Sequence, residues 1–537
     1  MVFRARTACF LILGVVAACS GSVRIPDESS GSVTGGAPPD DLCEALPDRA
    51  CYGGPEETLG VGLCQAGVQT CEADGAVYGA CTGEVTPHAE VCATAGDESC
   101  DGEGACTGDL IWAADGGGTG NHGGADVDVD RSNNVLVTGR VLGTLELGGA
   151  TLDADDYQAF VVKLDPDGKA SWSLVAQGIS SGSAVAADAD GNVYVAGGFS
   201  ATMELGGASL SSAGASDIFL AKLDPTGALV WSKRFGGAFT EWVSEMVVDP
   251  AGNLVAIGGF QSVTNVGGET LAAVGETDVL VLKLDSSGNH LFSKSFGSSD
   301  FDHGIGVAVS PGGEIALAGS FNGTIDLGGG TLSSADEDAF VAMLGPTGGH
   351  LWSRRFGGAG YDLAKGVGFD PAGNVVVAGL LSNEIDLGGG PLVAEGVYEV
   401  FAAKLDPAGQ HLWSRRFGGP GSASHAAHLA VDGAGNAVAF GLFSGTMTVG
   451  GAELTAAGTN GSSGPEDLFV IKLDPEGSPA WSRAFGSPDL ERADGIAIAA
   501  TGEILLTGDF FGTVDFGAGP MAAPPGSSGL YLLKLAP

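Results

Sequence analysis

From residue 110 onward the chain alternates short apolar runs with turns rich in glycine, aspartate and proline. Residues 365–369, 374–379, 400–405 and 411–417 are four such runs in succession, separated by Asp-Pro, Gly-Asn and Gly-Gly chemistry. Short runs rich in Val, Leu, Ala and aromatics between turn-forming residues predict β-strands joined by tight connections. The four-run unit then repeats. Its aromatic anchor recurs at Trp112, Trp172, Trp231, Phe292, Trp352, Trp413 and Trp481, in steps of 60, 59, 61, 60, 61 and 68 residues, the last lengthened by an insertion at 458–465. A second anchor, Lys-Leu-Asp or a variant, falls at Lys163, Lys222, Lys283, Met343, Lys404, Lys472 and Lys534.

Seven copies of a four-strand unit predict the blades of a β-propeller. A stacked solenoid would show cap-like terminal repeats. Here the region opens on an isolated Trp-bearing strand, Leu110–Asp115, and stops on an isolated Lys-Leu strand at 530–535. That offset predicts that the first strand completes the last blade, leaving no open edge. The expected fold class is therefore all-β: a seven-bladed β-propeller of four-stranded blades over 108–537, preceded by a small disulfide-rich module.

Three phrases carry a family resemblance: Val-Val-Asp-Pro-Ala-Gly-Asn at 247–253, Phe-Val-Ala-Met-Leu at 340–344 and Leu-Trp-Ser-Arg-Arg-Phe-Gly-Gly at 351–358. They resemble the bacterial seven-bladed propeller repeat family known as SBBP, over roughly residues 110–537. The resemblance implies the fold and often an extracytoplasmic setting, but no single reaction.

The first 107 residues read differently. Arg4 and Arg6, an apolar run and the ending Val16-Ala17-Ala18-Cys19 make residues 1–18 a secretion signal. The ending resembles a bacterial lipobox, which implies lipidation of Cys19; Ser20 after it implies, by likeness to Gram-negative lipoproteins, the outer membrane. An ordinary signal peptide would also end in small residues. Residues 19–42 read as a flexible tether. Cys43, Cys51, Cys64, Cys71, Cys81, Cys92, Cys100 and Cys106 fall in the 43–107 module. Eight clustered cysteines in a secreted segment too small for a strong core indicate disulfides, with about 105 connectivities open. Residues 51–55 through 83–87 resemble cysteine-rich repeats of myxobacterial secreted proteins, which suggests lineage rather than activity. Asp97, Asp101 and Glu103 could partly supply a Ca²⁺ loop; a solvated acidic loop is the alternative.

Charge narrows the function. With 65 Asp and Glu against 23 Lys and Arg, a net charge of −42 would repel a phosphate backbone, so nucleic acid is excluded as a partner. No Gly-x-Ser-x-Gly elbow, His-Glu-x-x-His or P-loop occurs. His290, His350 and His411 recur at one repeat position and read as structural. No catalytic residue is assigned. One constellation stands out eight residues before each repeat's first turn: His122, Ser180, Glu241, Asp302, Asp362, Ser424 and Glu491. Its acids, Glu241, Asp302, Asp362 and Glu491, are a candidate cation ring at the channel mouth, with Ca²⁺ as its ion and no other cofactor expected; loop capping is the alternative. The long second-to-third connections, built on Thr-x-x-Leu-Gly-Gly, are expected as small hairpins on the same face, seven rigidly placed loops making an extended binding surface. The function expected is a lipid-anchored cell-envelope propeller that binds a protein or glycan partner without catalysis. The alternatives are a polymer-acting lyase or hydrolase, or a cation-binding surface protein. An enzyme would require polar residues that break the repeat and converge in one pocket.

Overall fold

A computed structural model describes residues 49–52, 59, 65–69, 81–82, 108–457 and 466–537. The lipobox, the tether, Asp97, Asp101, Glu103, the 458–465 insertion and Cys43, Cys64, Cys71, Cys92, Cys100 and Cys106 lie outside the described residues. The chain divides into two compact units, one ending at Cys106 and one beginning at Thr107. In the first, Arg49–Cys51 pairs antiparallel with Gly67–Gln69, and Cys51 is bonded to Cys81, Cα to Cα 5.9 Å.

The second unit is a ring of seven blades. Taking the blades in chain order, their innermost strands are His122–Val129, Ser180–Ala187, Glu241–Val248, Asp302–Val309, Leu363–Phe369, Ala423–Val431 and Gly495–Ile498. Each blade runs antiparallel from inner strand to outer strand, as in Asp302–Val309, Ile315–Asp326, Thr331–Leu344 and His350–Phe356 of the fourth blade. The seventh closes the ring. Its three C-terminal strands are completed by Leu110–Asp115, with Leu110 opposite Leu535 and Trp112 opposite Lys534. The expected closure is the observed one.

The third strands explain the composition. Asp217–Leu223 and its counterparts are buried along their whole length, because neighbouring blades cover both faces. The apolar core accordingly lies between blades: one cluster joins Tyr194 and Ile218 of the second blade to Phe260 and Leu282 of the third.

Polar latches on the face opposite the mouth reinforce this stacking. The indole of Trp172 donates to the Pro225 carbonyl of the next blade at 3.0 Å, and Trp352 does the same to Pro407 at 2.9 Å. Lys283 reaches the Pro346 carbonyl of the next blade and forms a buried ion pair with Asp249 at 2.8 Å. Lys163–Asp130, Lys222–Asp188 and Lys404–Asp370 repeat that pair. In the fourth blade both partners are absent, Met343 replacing the lysine and Ser310 the aspartate.

The Thr-x-x-Leu-Gly-Gly connections are hairpins, such as Thr202–Leu205 with Ala208–Ser211. They do not spread over the mouth as an open loop surface. Met203 and Leu205 are buried, and the hairpin tips pack on the start of the outer strand. There the recurring histidines lie: a Cβ on Gly329 would sit 2.2 Å from the His350 ring, whose Nε2 is 3.1 Å from the Ser353 hydroxyl. These histidines are structural, as their periodicity predicts.

Candidate functional site at the ring mouth and axis

Antiparallel order places the inner-strand starts and the third-strand starts at one end of the ring, its mouth. The seven positions of the sequence constellation all lie there. Glu241, Asp302, Asp362 and Glu491 are buried. Each caps its own loop. Glu241 accepts from the Gly237 amide at 3.0 Å, Asp302 from Ser298 at 2.5 Å, Asp362 from Gly358 at 3.1 Å and Glu491 from the Ser487 hydroxyl at 2.7 Å.

Burial pushes their carboxyls up, to about 7 for Glu241, about 6 for Asp302 and Asp362, and about 8 for Glu491. After burial, the leading carboxylate acting on each is not another ring member. It is the acid at the mouth end of the preceding blade's buried third-strand run: Asp217, Asp278, Asp338 and Asp467 respectively. The mouth thus holds carboxyl pairs at four blade junctions. Arg234 neutralises Asp217 and Arg355 neutralises Asp338. Asp278 and Asp467 form no ion pair among the described residues, and burial raises both, Asp467 to about 6. Among the described residues no group of three or more His, Cys, Asp or Glu is placed to hold a metal ion.

The third-strand acids explain a recurring feature of the repeat, the glycine after the outer-strand phenylalanine. A Cβ on Gly297 would lie 2.1 Å from Asp278 Cγ, and one on Gly486 would lie 2.0 Å from Asp467 Cγ. The carboxyl occupies the space a side chain would need.

Beside these buried acids the mouth exposes a set of apolar side chains. Ile179, Phe239, Phe301 and Tyr361 sit in the connections that lead into the inner strands and are exposed, as are Tyr157, Val274 and Val397 at the approach to third strands. Within the fifth blade the Tyr361 and Tyr398 rings are 6.0 Å apart, edge to face, and in the fourth Phe301 stacks on His303 at 6.5 Å. Exposed acids, among them Asp156, Glu276, Asp300, Asp336 and Glu395, fringe this arc. At one end of the arc, beside Tyr157 and Ile179, opens a groove of about 890 Å³ lined by Asp153, Asp155, Asp156 and Gln177.

Deeper on the axis lies a second cavity, of about 180 Å³, lined by residues from all seven inner strands. β-Bulges aim side chains into it. The ladder skips a residue at Ala125, Ser183, Ser244, Ile305 and Lys365, the same step of five inner strands. Asp126, Glu245, Lys365, His428 and Asp494 line this cavity. Two of the acids also clamp neighbouring blades: Asp126 accepts from the Val185 amide at 2.8 Å and Glu245 from Val307 at 2.7 Å, satisfying donors on the edge of the next inner strand. His428 Nε2 lies 3.1 Å from the Ala493 carbonyl. Burial dominates the titration of the whole group. It raises Glu245 to about 8 and Asp494 to about 7, lowers Lys365 to about 8 and holds His428 well below the usual imidazole range.

Sequence reasoning did not single out this axial group. Its signal lay four and five residues before each first turn. There, Ala, Ser, Gly and Ile occupy most copies, while Asp126, Glu245, Lys365, His428 and Asp494 break the repeat.

No protein-family model matches the chain. Two curated proteins are similar to part of it. The regulatory protein FlaEY of Caulobacter vibrioides is 29% identical over 163 residues, covering 29% of this chain and 17% of its own. The uncharacterized WD repeat-containing protein L264 of Acanthamoeba polyphaga mimivirus is 26% identical over 155 residues, covering 26% of this chain and 11% of its own. The aligned stretches thus span under a fifth of either relative. Among solved structures, Sqt1 from Chaetomium thermophilum aligns with 80% of this chain and 99% of its own at 12% identity and a TM-score of 0.37. A Synechocystis apocarotenoid oxygenase mutant aligns with 79% and 93% at 13% identity and a TM-score of 0.37.

Proposed function

We propose that this chain is a non-catalytic binding protein of the cell envelope, an SBBP-type propeller anchored through a lipid on Cys19 and carried on a cysteine-rich module. Its mouth face takes a protein partner. The observation that carries the reading is the arc of exposed Phe239, Phe301 and Tyr361 beside exposed acids. Rigidly held aromatics supply contact area at low entropic cost, and interface hot spots favour them. The acidic fringe favours a partner with basic side chains around an apolar centre, since complementary charge speeds encounter and excludes wrong partners. Stacking of a glycan on the same rings is the other outcome the surface allows.

The test is photo-cross-linking from a residue beside Phe301 on the full-length protein in its own envelope, followed by mass spectrometry. One discrete cross-linked protein, lost in Phe301→Ser/Tyr361→Ser and weakened by salt, supports the reading. Cross-linking indifferent to those substitutions would overturn it, and retention on a glycan array would move the partner to the glycan class. For the anchor, Cys19→Ala is expected to release the protein from the membrane fraction.

One observation favours the enzyme alternative, a lyase or hydrolase: polar residues that break the repeat do converge, in the axial cavity.

A further inference from the structure

The axial cavity is a built site independent of the mouth-face reading. Lys365 departs from the small or apolar residue at the equivalent bulge of four other blades. Its ammonium is drawn electrostatically to Asp494 and Glu245, yet among the described residues it forms neither an ion pair nor a hydrogen bond. The Asp494 carboxyl likewise accepts no hydrogen bond from a described residue; only burial and nearby charges, Asp509, Lys365, Arg492 and Arg140, act on it. By contrast, both Asp126 oxygens are taken by backbone amides, those of Val127 and Val185, at 2.8 Å. The cavity lining therefore includes one ammonium, that of Lys365, and one carboxyl, that of Asp494, neither of which forms an ion pair or a side-chain hydrogen bond with a described residue. Separated charges in a confined space are costly unless something pairs them.

We infer that the cavity binds a small zwitterion of the α-amino-acid class, its carboxylate on Lys365 and its ammonium on Asp494 and the remaining oxygen of Glu245. The size agrees. At about 30 Å³ of liquid per water, 180 Å³ holds a molecule of roughly six to ten non-hydrogen atoms. The charge pattern also selects. A lone carboxylate would leave the Asp494 carboxyl without a partner, and a lone amine would leave the Lys365 ammonium without one. A molecule carrying both charges satisfies both sides.

The experiment is calorimetric titration of the full-length protein with glycine, alanine and serine, and separately with acetate and methylamine. Saturable binding of at least one amino acid, with acetate and methylamine at least tenfold weaker, is the expected result. Lys365→Gln should lose that binding by more than tenfold while keeping the parent's melting temperature within a few degrees, because other blades already carry a neutral residue at this bulge. Asp494→Asn should do the same through the opposite charge. Absence of binding by all three amino acids at 10 mM would overturn the inference and leave water as the occupant, as would equal binding by the parent and both variants.

Discussion

Phe301 is 51% exposed, and Asp302, the next residue, is fully buried. The inversion follows from the mouth connection. Asp302 turns inward to accept the Ser298 amide, while Phe301, bridged in parallel to Thr277, is left outside. Neighbouring blades repeat it, with Tyr361 outside and Asp362 inside. A buried carboxyl facing Asp278 is held by its loop at an electrostatic cost. Asp302→Asn keeps an acceptor for Ser298 and removes the repulsion. The expected outcome is a melting temperature at pH 8 equal to or above the parent's, with a smaller dependence on pH.

The pH profile of the parent should run the same way. Glu241, Asp302, Asp362 and Glu491 have folded-state values raised above those of an unfolded chain. Between roughly pH 4 and 8 the native state therefore binds more protons than the unfolded one. Their contribution is present below pH 4 and lost as pH rises toward 8, by at most about 1.4 kcal/mol for each tenfold gain in proton affinity on folding. His428 acts in the opposite sense below about pH 6.5, its lowered value weakening the fold as pH falls, whereas Lys365, lowered to about 8, does so only above that pH. Melting scans from pH 5 to 8 should show a net decline, and millimolar Ca²⁺ at pH 8 should leave it unchanged. A calcium-dependent rise abolished by Asp302→Asn/Glu491→Gln would make the ring a cation site instead.

The fourth blade supplies a natural control for the buried ion pairs. Lys283→Met alone strands Asp249 and should cost about 3–5 kcal/mol. Lys283→Met/Asp249→Ser reproduces the Met343 and Ser310 arrangement and should recover most of that loss. A double-mutant cycle by chemical denaturation measures the coupling; additive losses would contradict it.

Two tryptophans should respond unequally to the same change. Trp352→Phe removes the bond to Pro407 and should cost about 1 kcal/mol. Trp481 packs against Gly108 at the seam, where the seventh blade's third strand and Leu110–Asp115 are not joined by a turn that would offer a carbonyl, and its indole nitrogen has no partner among the described residues. Trp481→Phe should be nearly neutral in the same unfolding assay.

The glycines divide as sharply. Gly297→Ala places a methyl on the Asp278 carboxyl and should destabilise by about 1–3 kcal/mol. Gly349→Ala, with open space around it, should change stability by less than about 0.5 kcal/mol.

What the sequence made legible was whatever recurs. Strand positions, blade number and the pairing of Leu110–Asp115 with the last strand all follow from turn residues and anchors repeated in phase. The histidines before the outer-strand aromatics were assigned correctly for that reason. The axial group was not legible, because Lys365 and Asp494 matter by differing from their counterparts, and only the bulges bring them to one cavity. The hairpins were recognised, but their apolar positions Met203 and Leu205 turn them inward against the outer strands, away from the mouth. The carboxyl pairs also needed the fold, since Asp278 and Asp302 come from adjacent blades.

The seam that closes the ring also sets the order of assembly. Hydrogen bonds there join residues more than 400 positions apart, such as Ser528 and Asn121. The equilibrium cost of so long a loop grows only slowly, about 0.6 kcal/mol per doubling of length. Its kinetic cost is larger, because such contacts form late. At roughly 5–20 residues per second of synthesis, the oldest strand waits for about 20–80 seconds before its partner exists. A nascent chain interrupted before Gly529 therefore carries six complete blades and two raw edges, one of them presenting Ile111 and Trp112 to whatever strand arrives first.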